Sequence, residues 1–197
     1  MRIALFGGTG FVGSYLVDAL VAADMQPVLL VRSGQESRVR HPERCEVIIG
    51  DVADADAVAR VIEGADAVIY NIGLLREFPA RGVTFAAMHR DAARRTIDTA
   101  VASGVKRYLL MSANGVKAQG TPYQHTKYEA EQHLQLFGKS EVPVCWTLVG
   151  YATGHSSSAT GRDTVVVETE CRAMGHDRCR FVVGFADEMP EAAQREN

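Results

Sequence analysis

The chain has 197 residues, 47% of them hydrophobic, with 21 Lys and Arg against 24 Asp and Glu and a net charge of −3 spread in both signs along its length. That length suits one α/β domain with a substantial core, or one such domain plus a small appendage, and would crowd two full domains. The charge balance argues against an electrostatic nucleic-acid binder, and no apolar stretch approaches the roughly 20 residues of a membrane span, so a protein that handles a small molecule fits better.

The N-terminus begins a strand directly, without signal-peptide architecture, which makes the cytoplasm the default compartment. Cys45, Cys145, Cys171 and Cys179 are then expected as thiols or metal ligands rather than disulfides. The first 20 residues read as strand, glycine turn and helix. An apolar run from Arg2 to Phe6 breaks into Gly7, Gly8, Thr9 and Gly10, and an amphipathic pattern resumes at Phe11, Val12 and Gly13. The spacing of Gly7, Gly10 and Gly13 gives each a physical task. Gly7 takes the tight turn, Gly10 lets backbone approach a pyrophosphate, and Gly13 lets helix and strand pack closely. A helix opening near Phe11 would aim free N–H groups at phosphate. A glycine-rich structural turn is the bland alternative, and the second apolar run that follows, Pro27 to Val31, favours the dinucleotide reading.

Arg32 stands about 20 residues beyond the glycine loop, where a fold preferring NAD commonly carries an acid, and Arg38 follows it. A guanidinium matches a 2′-phosphate, so NADP(H) is favoured over NAD(H), against the alternative of a solvated surface arginine. The run Val47 to Val52 is the third strand. Asp51 at its end could accept from an adenine amino group or cap a helix starting near Asp54. Helix spacing over Ala53–Glu63 stops at Gly64, and Ala67 to Gly73 is strand four, with Asn71 and Gly73 where a nicotinamide ribose would lie. A loop with exposed apolar groups over 74–83, a long helix from Thr84 to Ser103 and a strand from Lys106 to Ser112 complete the alternation. Strands alternating with helices predict a Rossmann-type doubly wound parallel sheet. The candidate cofactor residues are Gly7, Thr9, Gly10, Phe11, Val12, Gly13, Arg32, Asp51, Val52, Asn71 and Gly73.

Tyr123 and Lys127 stand four apart, one turn along a helix face, and Ser112 ends the preceding strand. A lysine ammonium near a phenol favours the phenolate and readies the tyrosine to exchange a proton with a carbonyl or alcohol oxygen, which the serine hydroxyl could orient. Alone, such a pair is a common accident of surface helices. After a glycine motif and five strands it reads as a homologous Ser–Tyr–Lys site and the candidate catalytic set, with turnover a separate question left open.

Residues 1 to about 135 resemble an atypical short-chain dehydrogenase/reductase, of the NAD(P)-binding group that includes NmrA-like proteins and the 39-kDa subunit of respiratory complex I. The resemblance is carried by the glycine loop, Gly50-Asp51-Val52, Asn71-Ile-Gly73-Leu-Leu-Arg76-Glu, His89, Gly104-Val-Lys-Arg107, Met111-Ser112-Ala113 and Tyr123-x-x-x-Lys127-x-Glu-Ala-Glu131. It implies a nicotinamide cofactor serving either catalysis on a small carbonyl compound or structure and assembly. In that family a strand ending in Arg-Pro follows, then a long substrate-binding part. Here Cys145-Trp-Thr-Leu-Val-Gly150 lacks the pair, and the substrate part is expected to be missing or replaced.

The stretch from about 140 to 184 resembles instead the C-terminal end of a 4-vinyl reductase domain, the sensing module also found at the front of XylR-like aromatic-responsive activators. That resemblance implies a zinc site of three cysteines and a glutamate, at Cys145, Glu168, Cys171 and Cys179. The residues make the case reasonable: Glu168 and Cys171 leave a strand three apart, Cys179 returns after a loop containing Gly175, and three sulfurs with one oxygen suit Zn²⁺. Three buried cytosolic thiols are the alternative. The expected organisation is a dinucleotide-binding domain over 1–140, a β-rich appendage over 141–186 that shares a strand near 143–149, and a frayed tail over 187–197. Such a chain would join two family fragments, natural or engineered. A non-catalytic sensor or assembly module is the competing function, and a homo-oligomer is left open.

Overall fold

The computed structural model describes residues 1–113, 115–138, 146–177 and 179–189, without the side chains of 146–148, 150, 151 and 172. The chain divides into two compact units, Met1–Phe137 and Gly138–Asn197.

In the first unit five parallel strands stand in the order β3-β2-β1-β4-β5, where β1 is Arg2–Phe6, β2 Gln26–Val31, β3 Glu46–Ile49, β4 Ala67–Tyr70 and β5 Arg107–Leu110. Their apolar runs alternate sides with period two. Ala4, Phe6, Val28, Leu30, Val68 and Tyr70 join one core, and Leu5, Leu29 and Val31 join another. The first core is covered by α2 (Ala55–Ile62), α3 (Ala92–Ala102) and α4 (Pro122–Leu134), which bury Val58, Val61, Ala93, Ala100 and Ala130 against it. The second receives Val17 of α1 (Phe11–Ala22). The Rossmann-type doubly wound sheet expected from the alternation is therefore present. The order in which strands are added reverses between β1 and β4, which opens a crevice at their carboxyl ends.

The predicted long helix from Thr84 to Ser103 is not uniform. Ala86–Asp91 forms a π-helical turn before α3, and the Met88 carbonyl within it accepts a 2.5 Å hydrogen bond from the Tyr70 hydroxyl of β4. A partner outside the helix supports the wider turn, which is why local periodicity did not foretell it.

The second unit pairs β6 (Thr164–Glu170) with β7 (Arg180–Phe185), antiparallel and with an irregularity between Glu168 and Glu170. Its helix α5 spans Trp146–Thr160 and meets β6 where Ser157 Oγ accepts from Thr164 N–H at 3.0 Å and the Thr164 hydroxyl reaches the Thr153 carbonyl at 3.2 Å. The strand expected near 143–149 is corrected here: residues 146–149 are the first turn of α5, while 139–145 lie outside the described residues. A short apolar run does not separate strand from helix by periodicity, and Gly150, read as a strand end, lies within the helix together with Gly154. Of the expected frayed tail, Asp187 and Glu188 accept from Arg162 at 3.0 Å, and its guanidinium lies 3.5 Å over the Phe185 ring. Residues 190–197 lie outside the described residues. Among the described residues no helix is long and apolar enough to cross a membrane.

Candidate functional site

The glycine loop behaves as the spacing demands. Gly7 has φ +90°, a region side chains rarely adopt, and a Cβ on Gly13 would sit 2.0 Å from the Gly7 carbonyl oxygen. No side chain fits at position 13, so α1 approaches the turn to backbone contact. Gly10 is the N-cap of α1 and supplies no side-chain cap, leaving the first N–H groups of the helix directed outward. Thr9 is half-buried in the turn, and Phe11 and Val12 are exposed beside it. This is a cradle that only backbone lines, and a diphosphate fits it on the chemistry of its donors.

Around the cradle, Asn71 N–H donates to the Phe6 carbonyl at 2.9 Å, continuing the β1–β4 pairing past the strand ends. Arg32 follows directly on β2 and is exposed, while Arg38 turns to Gln35 at 3.1 Å. Asp51 accepts from Ala53 N–H at 2.8 Å, and the N-cap of α2 is Asp54, which accepts from Asp56 N–H at 2.9 Å. Asp51 therefore shapes the turn before the helix rather than capping it. Val52 is buried beneath this turn and its carbonyl accepts from Arg95 at 3.0 Å.

At the other end of the crevice, α4 opens with a capping box between Thr121 and Gln124 and Pro122 in its first turn. Tyr123 is half-buried, and Lys127, one turn later, is only 4% exposed. The Lys127 ammonium donates to the Met111 carbonyl at 2.7 Å, at the end of β5. It also lies at the Gly73 backbone, where a Cβ would meet Nζ at 3.8 Å. Burial pushes the Lys127 pKa down to about 8, against the opposing pull of the Glu131 charge. Ser112, Lys127 and Gly73 thus lie at the carboxyl edge of β4 and β5, as the sequence anticipates. The Ser112 hydroxyl, however, donates to the Glu131 carboxylate.

Two residues of this site carried no role in the sequence reading. Glu131 stands one turn beyond Lys127, a spacing that places both on one helix face and could have flagged it. His89 is 1% exposed, accepts from Leu74 N–H at Nε2 (2.9 Å), and has its pKa pushed down to about 4 by burial and then by Lys127. Its place among the residues that carry the family resemblance was the available signal.

In the second unit, ligand atoms of Glu168, Cys171 and Cys179 all lie within 4.8 Å of one another, and Glu168 and Cys171 are buried. Glu168 points to the covered side of β6 with Thr164 and Val166, and Gly175, at φ +96°, turns the chain between the two cysteines. Cys145, the fourth candidate ligand, lies outside the described residues.

Comparison with known proteins places these observations. A family model described as NAD(P)H-binding matches residues 7–175. The ceramide reductase of Caulobacter vibrioides is 32% identical over 142 residues, covering 72% of this chain and 44% of that protein. The phenol regulator MopR of Acinetobacter guillouiae is 47% identical over 55 residues, covering 28% of this chain and 10% of the regulator. The chain thus spans less than half the length of these relatives. Among solved structures, the Bordetella bronchiseptica enzyme WbmH in complex with NAD+ superposes with a TM-score of 0.59 at 17% identity, over 70% of this chain and 52% of that one, a likeness of fold. On the glycine cradle, the five-stranded sheet and a family model that covers most of its length, the chain belongs to the NAD(P)H-binding family, with the Rossmann-type fold of short-chain dehydrogenases/reductases.

Proposed function

We propose that the Met1–Phe137 unit binds NADP(H) in preference to NAD(H) and serves a reductase or dehydrogenase acting on a small carbonyl compound or its alcohol. The observation that carries this reading is the convergence of Lys127 and Ser112 at the carboxyl edge of the sheet beside Gly73, with Tyr123 one turn before the lysine. The preference for NADP(H) is supported by Arg32, an exposed guanidinium at the end of β2 where a carboxylate would repel a 2′-phosphate. Gly7, Thr9, Gly10, Phe11, Val12 and Gly13 would hold the pyrophosphate, Asp51 and Val52 the adenine side, and Asn71 and Gly73 the nicotinamide ribose. A nicotinamide bound there supplies or accepts the hydride.

The chain's own residues handle the proton. Tyr123 Oη gives it to the carbonyl oxygen as hydride adds to the carbon, and takes it back in the reverse direction. Lys127 has three donors; one goes to the Met111 carbonyl, and the other two can hold ribose hydroxyls. Ser112 must turn its hydroxyl away from Glu131 before it can donate to a substrate oxygen, so the pair sets a cost on that contact. The test is NADPH oxidation by the purified full chain across a carbonyl panel that includes a ceramide-type ketone and a 3-oxosteroid. Tyr123→Phe should lower kcat by about 10²- to 10⁴-fold. An unchanged rate in that variant would sink the assignment.

A second reading has its own support. The cluster of Glu168, Cys171 and Cys179, together with the match to MopR, favours residues 141–186 as a 4-vinyl-reductase-like zinc-binding tail, Cys145 being the remaining ligand. A tetrahedral S₃O set would hold Zn²⁺ with its thiols deprotonated. The whole chain would then be a nucleotide-occupied sensor or assembly module. Native mass spectrometry reads both ligands at once: retained zinc and NADP(H) with no turnover across the panel would favour the sensor, and a zinc-free chain after supplementation would remove it.

A further inference from the structure

We infer that His89 is a positioning residue for Tyr123, tying the segment after β4 to the start of α4 so that the tyrosine hydroxyl meets a substrate at a fixed angle. The inference rests on the reading of Tyr123 as proton donor.

His89 sits in the π-helical turn Ala86–Asp91, whose extra residue per turn changes which side chains face the crevice. The Tyr70 hydroxyl, donating to the Met88 carbonyl, anchors that turn to β4. The Leu74 N–H is a fixed donor and points at His89 Nε2 at 2.9 Å, so Nε2 carries no proton and Nδ1 does. The Nδ1–H faces Thr126 Oγ1 at 3.4 Å, and Thr126 passes its own hydrogen to the Pro122 carbonyl at 2.9 Å. One neutral imidazole thus joins the loop beginning at Leu74 to the first turn of the tyrosine helix. Burial, which lowers its pKa to about 4, keeps it in that neutral form near pH 7.

The ring faces complete the arrangement. Phe85 stacks on His89 with centroids 5.3 Å apart. Both rings meet Tyr123 edge to face, His89 at 5.0 Å and 87°, Phe85 at 5.5 Å and 90°. Phe85 donates its N–H to the Glu77 carboxylate at 2.7 Å, which closes the 74–85 segment on itself. With two perpendicular neighbours packed against it, the Tyr123 ring is hindered both in flipping about χ2 and in swinging about χ1, and it is χ1 that places its hydroxyl.

Three variants of the full chain separate the parts. His89→Ala removes ring and hydrogen bonds, His89→Phe keeps a flat ring, and His89→Gln keeps polar groups without one. Protein labelled with 3-fluorotyrosine, its Tyr123 resonance assigned by loss in Tyr123→Phe, should show separate lines in the wild type for the two edge positions of the fluorine on a ring that does not flip. Those lines should merge into one averaged line in His89→Ala and His89→Gln and be largely restored in His89→Phe. Kinetically, kcat should fall by about 10- to 100-fold in His89→Ala while the NADPH Kd changes by less than about twofold. Tyr123 lines and a kcat that are both unchanged in folded His89→Ala or His89→Gln would overturn the inference, as would an equal loss of NADPH binding. If His89→Ala does not fold, the other two variants decide. If the wild type reduces no carbonyl, the proposed function fails, while the fluorine spectra still decide the role of His89.

Discussion

In the Met1–Phe137 unit the central strands β1 and β2 are closed on both faces, with Phe6 and Val28 on one side and Leu5 and Leu29 on the other all at 0% exposure. The β6–β7 hairpin of the second unit is covered on one face of β6 and leaves Val182 and Val183 at 45% and 52%. The first unit can therefore present chemistry through backbone shape, because a sheet buried on both faces holds its turns where they are. The second has less to hold a turn with, and its chemically useful groups are side chains: a carboxylate and two thiols gathered in a small volume. A backbone cradle tolerates no added atom, whereas a ligand cluster tolerates no lost one.

The largest expected effect follows from the cradle. Gly13→Val would place branched carbon where a Cβ alone already comes within 2.0 Å of the Gly7 carbonyl oxygen. NADPH binding should fall by more than about 100-fold in a fluorescence titration, with a lowered melting temperature, because overpacking against backbone cannot relax. Zinc uptake should be unaffected if the two units are chemically separate. Conversely, Cys171→Ser should abolish zinc retention in native mass spectrometry and leave NADPH titration unchanged. A variant of either kind that silences both ligands would break the contrast.

A smaller effect concerns acid. The folded-state pKa of His89 is about 4 against an ordinary value of 6.5, so between these values the unfolded chain binds more protons than the folded one. Stability should therefore be complete above pH 6.5 and fall as the pH drops toward 4, by on the order of 3 kcal/mol. Urea midpoints measured from pH 7 to pH 4 should show this slope, and His89→Phe should flatten it. Lys127, lowered to about 8, works in the other window: stability should rise as pH increases from 8 toward 10.5. The smallest effect is at the adenosine end, where Arg32→Asp should move cofactor preference from NADPH toward NADH by about 10-fold, roughly 1.4 kcal/mol, read from the ratio of the two Kd values.

Much of this was legible in the residues. The five strands, the helix opening at Phe11 and the crowding at Gly13 all follow from apolar runs and glycine spacing, which are local properties. The α5 helix was not legible, because Trp146-Thr-Leu-Val is as apolar as a strand and two glycines follow inside it. The π turn depends on Tyr70 reaching Met88 from another element. The spacing of Glu131 from Lys127 puts both on one helix face, but the Ser112–Glu131 bond and the place of His89 depend on how β5, α4 and the loop at Leu74 meet. What sequence carried was each element's own preference, and what it missed was made by pairs of elements.

The strand that bears the glycine loop is also secured at its opposite end. Arg2 donates its N–H to Asp66 at 2.7 Å and its guanidinium to Glu46 at 2.5 and 2.9 Å and to the Glu63 carbonyl at 3.1 Å, while Met1 accepts from Gln26 N–H at 2.9 Å. Anything attached ahead of Met1 therefore leaves from the amino edge of the sheet, a strand's length away from the cradle. An affinity tag or a surface-coupling handle placed there would leave the cofactor entrance open, which makes this the end by which the protein can be immobilised for the binding measurements above.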